Sequence, residues 1–492
     1  MGVIYAVNVS QAETKYFKLI IICCIVLACI ATRLPQLLSP NLILDEDECV
    51  VGLMARHMTE GREIPVFFWG QVYGFSLVET GLISGFYFLF GMSDISVKLA
   101  MLCLFIAGVV FFYLAMAAMA KNRWLPVLIT ALLICCPSWA EWSMKARGGY
   151  LTAFLLSSMF LWLLRGKTKG NTSWPALGVV SALVFYSQPL WLPGLFCFLA
   201  YEVLMHGAFK RLLPFAAAAL PVVLVLEIIK ARSYTMWAPK VFTSRPNPGN
   251  AISMLYANLH GYNYLDDTYL APLSGRLFAW SFVLTMALLI ILAVYYLATD
   301  LSKRKLFITS AIAILVTFAY SVFITGHPSR YLLPITGFGL LALFLFLNDL
   351  KNVTAAYLPV VALTIAGAIA VFSFKDFRFM PYTKAELISC CNYLQSQKLC
   401  YVFSNDVPQE WQIMFYAHEK IICRESDSTN RYPAYTRAVT KAYYADPKST
   451  AVVDFSGDLK DMAPRKTVAI AKRFYVLPAP SPRLLKDMEV KL

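Results

Sequence analysis

Four consecutive acids, Asp45-Glu46-Asp47-Glu48, stand shortly after the first long apolar stretch of this 492-residue chain and are its most chemically promising side chains. Carboxylates gathered at a membrane mouth suggest a catalytic site or an ion-binding one. Part of the cluster has a structural use: Asp45 can cap a helix and Glu48 can close its capping box, and any acid in a first helical turn gains from the helix dipole. That account leaves Glu46 and Asp47 over. An aspartate beside a helix N-terminus stays ionised near neutral pH, the state required of a base or of a ligand to a cation. Oxygen-rich clusters of this type suit magnesium or manganese, so a divalent cation is a further reading of the same acids.

Downstream, Phe67-Phe68-Trp69-Gly70-Gln71-Val72-Tyr73-Gly74 gathers rings, an amide and glycines after Pro65. Such a surface suits a sugar, and it equally suits an interfacial aromatic belt. Glu79 lies in an apolar run, where it would be costly against lipid and is expected to face a polar cavity.

The elements that must position these groups are membrane helices. Apolar residues make up 59% of the chain and charged residues only 15%, with long uncharged runs throughout 17–374. Stretches able to span are 17–34, 99–118, 124–140, 150–164, 174–186, 190–205, 212–229, 277–297, 306–325, 331–347 and 354–374. The run 76–92 is either a further span or an interfacial helix. Basic residues favour the cytoplasmic side over short loops. If 76–92 does not cross, Lys15/Lys18, Lys121/Arg123, Arg165/Lys167/Lys169, Lys210/Arg211, Lys303/Arg304/Lys305 and Lys351 all share one side; one extra crossing scatters them. The expectation is therefore a mainly α polytopic protein of about eleven spans, with the N-terminus cytoplasmic and a first outer loop at 40–97. Lys145, Arg147 and Arg330 then fall outside, where they either snorkel to headgroups or hold an anionic substrate such as a lipid phosphate. The net charge of +14 follows largely from the inward loops, and no recognition motif accompanies it, so nucleic acid is not an expected partner.

After residue 374 the composition turns to mixed charge. Thr383 and Glu386 form a capping box opening a helix, and 400–403, 421–423, 451–455 and 468–470 read as short strands, with a helix over 407–418. The chain thus divides into a transmembrane catalytic domain (1–374) and a small extracytoplasmic α/β domain (375–492). Cys390, Cys391, Cys400 and Cys423 lie in the latter, where an oxidising compartment permits a bridge of unassigned pairing.

The run Asp47-Glu48-Cys49-Val50-Val51-Gly52-Leu53-Met54-Ala55-Arg56-His57, followed by Trp69-Gly70-Gln71-Val72-Tyr73-Gly74 and Leu77-Val78-Glu79, resembles the first outer loop of bacterial GT-C membrane glycosyltransferases, those related to protein O-mannosyltransferases and lipid A aminoarabinose transferases. Further matches are Arg147-Gly148-Gly149-Tyr150, Arg330-Tyr331-Leu332-Leu333-Pro334 and Arg431-Tyr432-Pro433-Ala434-Tyr435, so the resemblance covers most of the chain. It implies an inverting transfer from a polyprenyl-phosphate-linked sugar donor to an acceptor hydroxyl of an envelope glycan, lipid or protein at the outer face of a bacterial inner membrane. Asp47 takes the position of the family's Asp-Glu pair and is the implied base, with Glu48 beside it. Lys145, Arg147 and Arg330 are expected at the donor phosphate. Asp45, Glu46, Trp69, Gln71, Tyr73, Glu79, Tyr150 and Tyr331 are expected to bind substrate. Cys49 stands where the family usually has a small residue.

A secondary transporter or lipid flippase is the competing class. Transporters commonly carry internal repeats and interrupted helices in paired positions. No such repeat is visible, and the polar signals gather at one face, which favours an enzyme there.

Overall fold

The computed structural model describes residues 2–71, 74–165, 173–234, 248–261, 273–299, 304–324, 329–350, 354–373, 382–404, 407–425, 430–455, 457–488 and 490. Tyr73 lies outside the described residues, as does much of the long outer loop after Arg232.

Seven described helices are long and apolar enough to cross a membrane: Tyr16–Leu37, Asp94–Met119, Pro189–His206, Ala208–Arg232, Leu273–Thr299, Lys305–Phe323 and Arg330–Asn348. They coincide with seven of the expected spans. The other four are apolar helices of shorter described length, Trp124–Ile134, Tyr150–Arg165, Trp174–Ser187 and Tyr357–Ser373, so length and composition establish seven crossings rather than eleven.

The expected span at 124–140 is broken, for a reason carried by Pro137. A residue before proline is driven out of the helical region. The helix Trp124–Ile134 ends, Cys136 is extended (φ −71°, ψ 122°), and Pro137 opens the short helix Pro137–Trp142. The Ile134 carbonyl freed by the break accepts Arg33 Nη1 at 2.6 Å, while Arg33 Nε donates to Ser143 Oγ at 2.9 Å. A cation in the first span, costly against lipid, is thereby buried as the clasp of a broken helix.

The first loop folds into two helices, Glu46–Thr59 and Leu77–Phe90, joined by a stretch closed by an antiparallel bridge between Phe67 and Phe75. Leu77–Phe90 rises only about 21 Å, short of the ~30 Å hydrocarbon layer. With Phe88, Leu89 and Phe90 exposed at one end and Glu79 buried at the other, we read it as interfacial.

The tail begins as its capping box dictates. Thr383 caps Lys384–Ser396, and its hydroxyl accepts the Glu386 N–H while the Glu386 carboxylate accepts the Thr383 N–H. Five strands follow: β1 (Tyr401–Ser404), β2 (Ile422–Glu425), β3 (Thr450–Asp454), β4 (Val468–Ile470) and β5 (Phe474–Pro478). They form one sheet in the order β2-β1-β3-β5-β4, parallel between β2, β1 and β3 and antiparallel beyond. β5 and the helix Pro433–Ala445 were not anticipated from the sequence. All twelve cysteines are unbridged, and Cys390, Cys391 and Cys423 are buried thiols.

Candidate active site

Helix Glu46–Thr59 organises the site, and its N-terminus forms as the spacing demands. Asp45 is the N-cap: its Oδ1 accepts the Glu48 N–H and the Glu48 carboxylate accepts the Asp45 N–H, each at 3.1 Å. The remaining charge on both acids is met from the membrane helices. Arg147 donates to Asp45 Oδ2 at 2.7 Å, with Lys145 Nζ 3.5 Å away. Glu48, wholly buried, pairs with Lys98 of Asp94–Met119. Burial alone would raise the Asp45 carboxyl, but Arg147 and Lys145 hold it well below the usual range. For Glu48 burial prevails over the pull of Lys98, and its pKa is raised.

Asp47 is placed differently. Its Oδ2 lies 3.1 Å from Arg147 Nη1 and its Oδ1 3.3 Å from Nη2 of Arg431 in the tail, while its side chain stays 18% exposed. It is a reachable carboxylate held between two guanidiniums from different parts of the fold. Glu46, 27% exposed, lies 4.0 Å from Arg431; burial and the neighbouring Asp47 push it up to about 7. Four acids thus face Lys98, Lys145, Arg147 and Arg431. Among the described residues no group of three or more His, Cys, Asp or Glu side chains is arranged to hold a metal ion.

The segment carrying Arg147 is locked by glycine contacts and by Glu79. Gly74 (φ 75°) lies so close to Gly148 that a Cβ would sit 2.8 Å from its carbonyl oxygen, and at Gly149 (φ 100°) a Cβ would sit 2.8 Å from the Ser187 carbonyl oxygen. Glu79 Oε1 accepts the Gly149 N–H at 2.9 Å, just ahead of helix Tyr150–Arg165, and burial raises the carboxyl to about 7. Its observed contact is to the chain itself. Tyr150 packs on Trp142 with ring centroids 5.0 Å apart, and Trp142 also lies under Lys145 and Arg147 at 5.4 and 5.7 Å.

Trp69 is stacked on Tyr432 at 4.3 Å and donates Nε1 to Glu63 at 3.0 Å, so much of its ring faces the tail. Gln71 follows it at the edge of a cavity. Arg330 and Tyr331 stand on the turn Ser329–Leu332, the guanidinium 5.4 Å from the Tyr331 ring centre. They are one helix removed from the Lys145 segment: Pro248–His260 packs against both that turn and Pro137–Trp142.

Sequence reasoning missed four partners. Lys98 stands one residue before the expected span 99–118, and Glu141, 3.2 Å from Lys145, one residue after the expected span 124–140. Trp142 gave no signal. Arg431 was noted within a motif but given no role.

The far end of the same helix carries a second buried cluster. His57 Nε2 is 2.9 Å and Nδ1 3.2 Å from Glu419 and Glu63, respectively. Glu419, in the left-handed region (φ 52°), also meets Arg56 and Arg62, each at 3.1 Å, and accepts the Tyr435 hydroxyl at 2.5 Å. Burial opposes the charged form of His57, yet its hydrogen bonds to Glu419 and Glu63 leave its pKa raised. Glu419, which burial would raise, is held down at about 2 chiefly by His57 and Tyr435.

No protein-family model matches the chain, and no curated protein sequence matches it. Solved structures do. ArnT from Cupriavidus metallidurans in the apo state superposes with a TM-score of 0.61 at 10% identity, covering 95% of this chain and 98% of that one. The same ArnT bound to undecaprenyl phosphate gives 0.59 at 11% identity, covering 94% and 98%. Arabinofuranosyltransferase AftD from Mycobacteria gives 0.48 at 13%, covering 79% and 29%. The fold is the GT-C fold of ArnT, in a multi-pass membrane protein closed by a small C-terminal sheet.

Proposed function

We propose that this protein is an inverting glycosyltransferase that moves a sugar from a polyprenyl-phosphate donor to an acceptor hydroxyl at the outer face of a bacterial inner membrane. Asp47 carries the reading: it is the acid of the cluster that combines partial exposure with two guanidinium contacts. In the reaction the acceptor oxygen attacks the anomeric carbon, the bond from that carbon to the phosphate oxygen breaks with its electron pair leaving on phosphate, and the acceptor proton passes to Asp47. Single displacement inverts the anomeric centre. Lys145, Arg147 and Arg330 supply positive charge for the departing phosphate. ArnT, which shares the fold, has been captured with undecaprenyl phosphate, and that supports a polyprenyl lipid as the carrier. The same reading puts the N-terminus in the cytoplasm and the tail outside.

The experiment is transfer of radiolabelled sugar from synthetic polyprenyl-phosphate donors in membranes carrying wild type or Asp47→Asn, with and without chelator. Transfer by wild type that is lost in the variant supports the assignment. Equal transfer by both moves the base to Glu46, since Asp45 is buried as the helix cap. Loss in the chelator arm makes transfer dependent on a divalent cation, magnesium or manganese. A wild type inactive with every donor returns the transporter or flippase reading.

A further inference from the structure

Helix Asp94–Met119, which brings Lys98 to the acid cluster near its start, borders a second polar site at its far end. About 32 Å of helix separates Lys98 from Met119 at 1.5 Å per residue, enough to cross the ~30 Å hydrocarbon layer, so the second site lies at the opposite membrane face. There a cavity of about 220 Å³ opens between the ends of Asp94–Met119, Pro189–His206 and Arg330–Asn348 and the start of Lys305–Phe323.

Its charge is one-sided. Arg304 and Lys305 line it and neither is ion-paired among the described residues, whereas the acid of the wall, Asp349, is engaged by Lys121 at 2.6 Å. Arg304 is pinned without being satisfied. Its guanidinium lies 4.5 Å from the Tyr296 ring centre and 5.0 Å from that of Phe346, and it donates no hydrogen bond among the described residues. Of its nitrogens only Nη1 is wholly enclosed. A guanidinium fixed by rings, with N–H groups still open, is prepared for the oxygens of a phosphate.

Met119, Leu306 and Leu345 give the cavity an apolar side, which a free phosphate would leave unused and the glycerol end of a lipid headgroup would cover. The neighbouring acid is already answered: Glu202 pairs with Arg165 at 2.5 Å, and Arg165 lies 5.2 Å from the ring centre of Tyr201 in the wall. Basic sites between membrane helices attract anionic lipid headgroups. We infer that this cavity holds the phosphate headgroup of an anionic phospholipid in the leaflet opposite the active site, clamping the four helices around it. The site is independent of the reaction proposed above.

Full-length protein, delipidated in a neutral detergent, is titrated with phosphatidylglycerol, phosphatidylcholine or inorganic phosphate at constant ionic strength, with binding followed by thermal melting and native mass spectrometry. Phosphatidylglycerol is expected to raise the melting temperature saturably, and the other two to bind about fivefold more weakly or worse. Arg304→Gln and Lys305→Gln each weaken phosphatidylglycerol binding about fivefold, and Arg304→Lys keeps part of it. Replacing Lys210 and Arg211 together by Gln removes two charges outside the lining and leaves that binding unchanged. Should Arg304→Gln fail to fold, Lys305→Gln decides. Phosphatidylglycerol binding no tighter than phosphatidylcholine, equal affinity in wild type and the Gln variants, or an equal loss in the Lys210 and Arg211 variant overturns the inference. Inorganic phosphate binding as tightly as the lipid overturns the lipid assignment.

Discussion

The two ends of helix Glu46–Thr59 are built from the same materials to opposite effect. Both bury acids among cations, and both draw cations or hydrogen bonds from the tail. At the N-terminal end Asp45 and Glu48 are fixed by backbone amides, Arg147 and Lys98, while Asp47 keeps an open edge. At the C-terminal end His57, Glu419 and Tyr435 are buried and linked to one another, with Arg56 and the exposed Arg62 closing on Glu419. The difference separates two uses of buried charge: one cluster leaves a carboxylate partly exposed, as the proposed reaction requires, and the other fastens the tail to the loop.

That contrast breaks most sharply at Asp47. Asp47→Asn is expected to lower sugar transfer by roughly 10²–10⁴-fold with little change in thermal melting, as removal of a general base does. Equal loss in Glu419→Gln would erase the distinction between the ends. The next largest effect falls on Glu48. Lys98→Met strands a buried carboxylate and should destabilise the fold by about 3–5 kcal/mol, and adding Glu48→Gln should return most of the melting temperature. Gly149→Ala should cost about 1–3 kcal/mol, because alanine there is strained at φ 100° and meets the Ser187 carbonyl.

The smallest effect is in the pH dependence of tail docking, followed by hydrogen exchange over 407–445. Glu419 is lowered from 4.5 to about 2, so its contribution is complete above pH 4.5 and fades as pH falls through 2. His57 is raised above 6.5, so its contribution is complete below pH 6.5 and fades as pH rises through its folded value. Docking should therefore be firmest in mildly acidic solution and loosen on the alkaline side. His57→Gln should remove the alkaline loosening and Glu419→Gln the acid one; an unchanged profile in His57→Gln would assign the alkaline limb elsewhere.

What was readable in the sequence was local. The Asp45/Glu48 and Thr383/Glu386 boxes depend on three-residue spacings, and both form. The long apolar helices needed only hydropathy. Long-range pairs were not legible: nothing near Glu48 names Lys98, and nothing near Asp47 names Arg431. Helix Pro433–Ala445 had its signals, a proline at its first position and Tyr435, Val439 and Tyr443 on one buried face, but its many polar residues hid them. Strand β5 is apolar and as long as β3, but Pro478 closes it and Pro480 and Pro482 follow, so the run reads as loop. The break at Pro137 was legible in principle and was overridden by the apolar run around it.

Leu44, the residue before the acids, gives its carbonyl to Gln412 at 2.6 Å and its amide to Tyr416 at 3.0 Å. Translation reaches the two partners only after every described membrane helix. While the ribosome is still working through the membrane helices, the first loop already lies waiting with its backbone and Asp47 unanswered from the tail. The first loop is thus unlatched until the tail has been made. In a pulse-labelled synthesis, protection of the first loop from protease should lag insertion of the first helices and arrive with helix Val407–Tyr416.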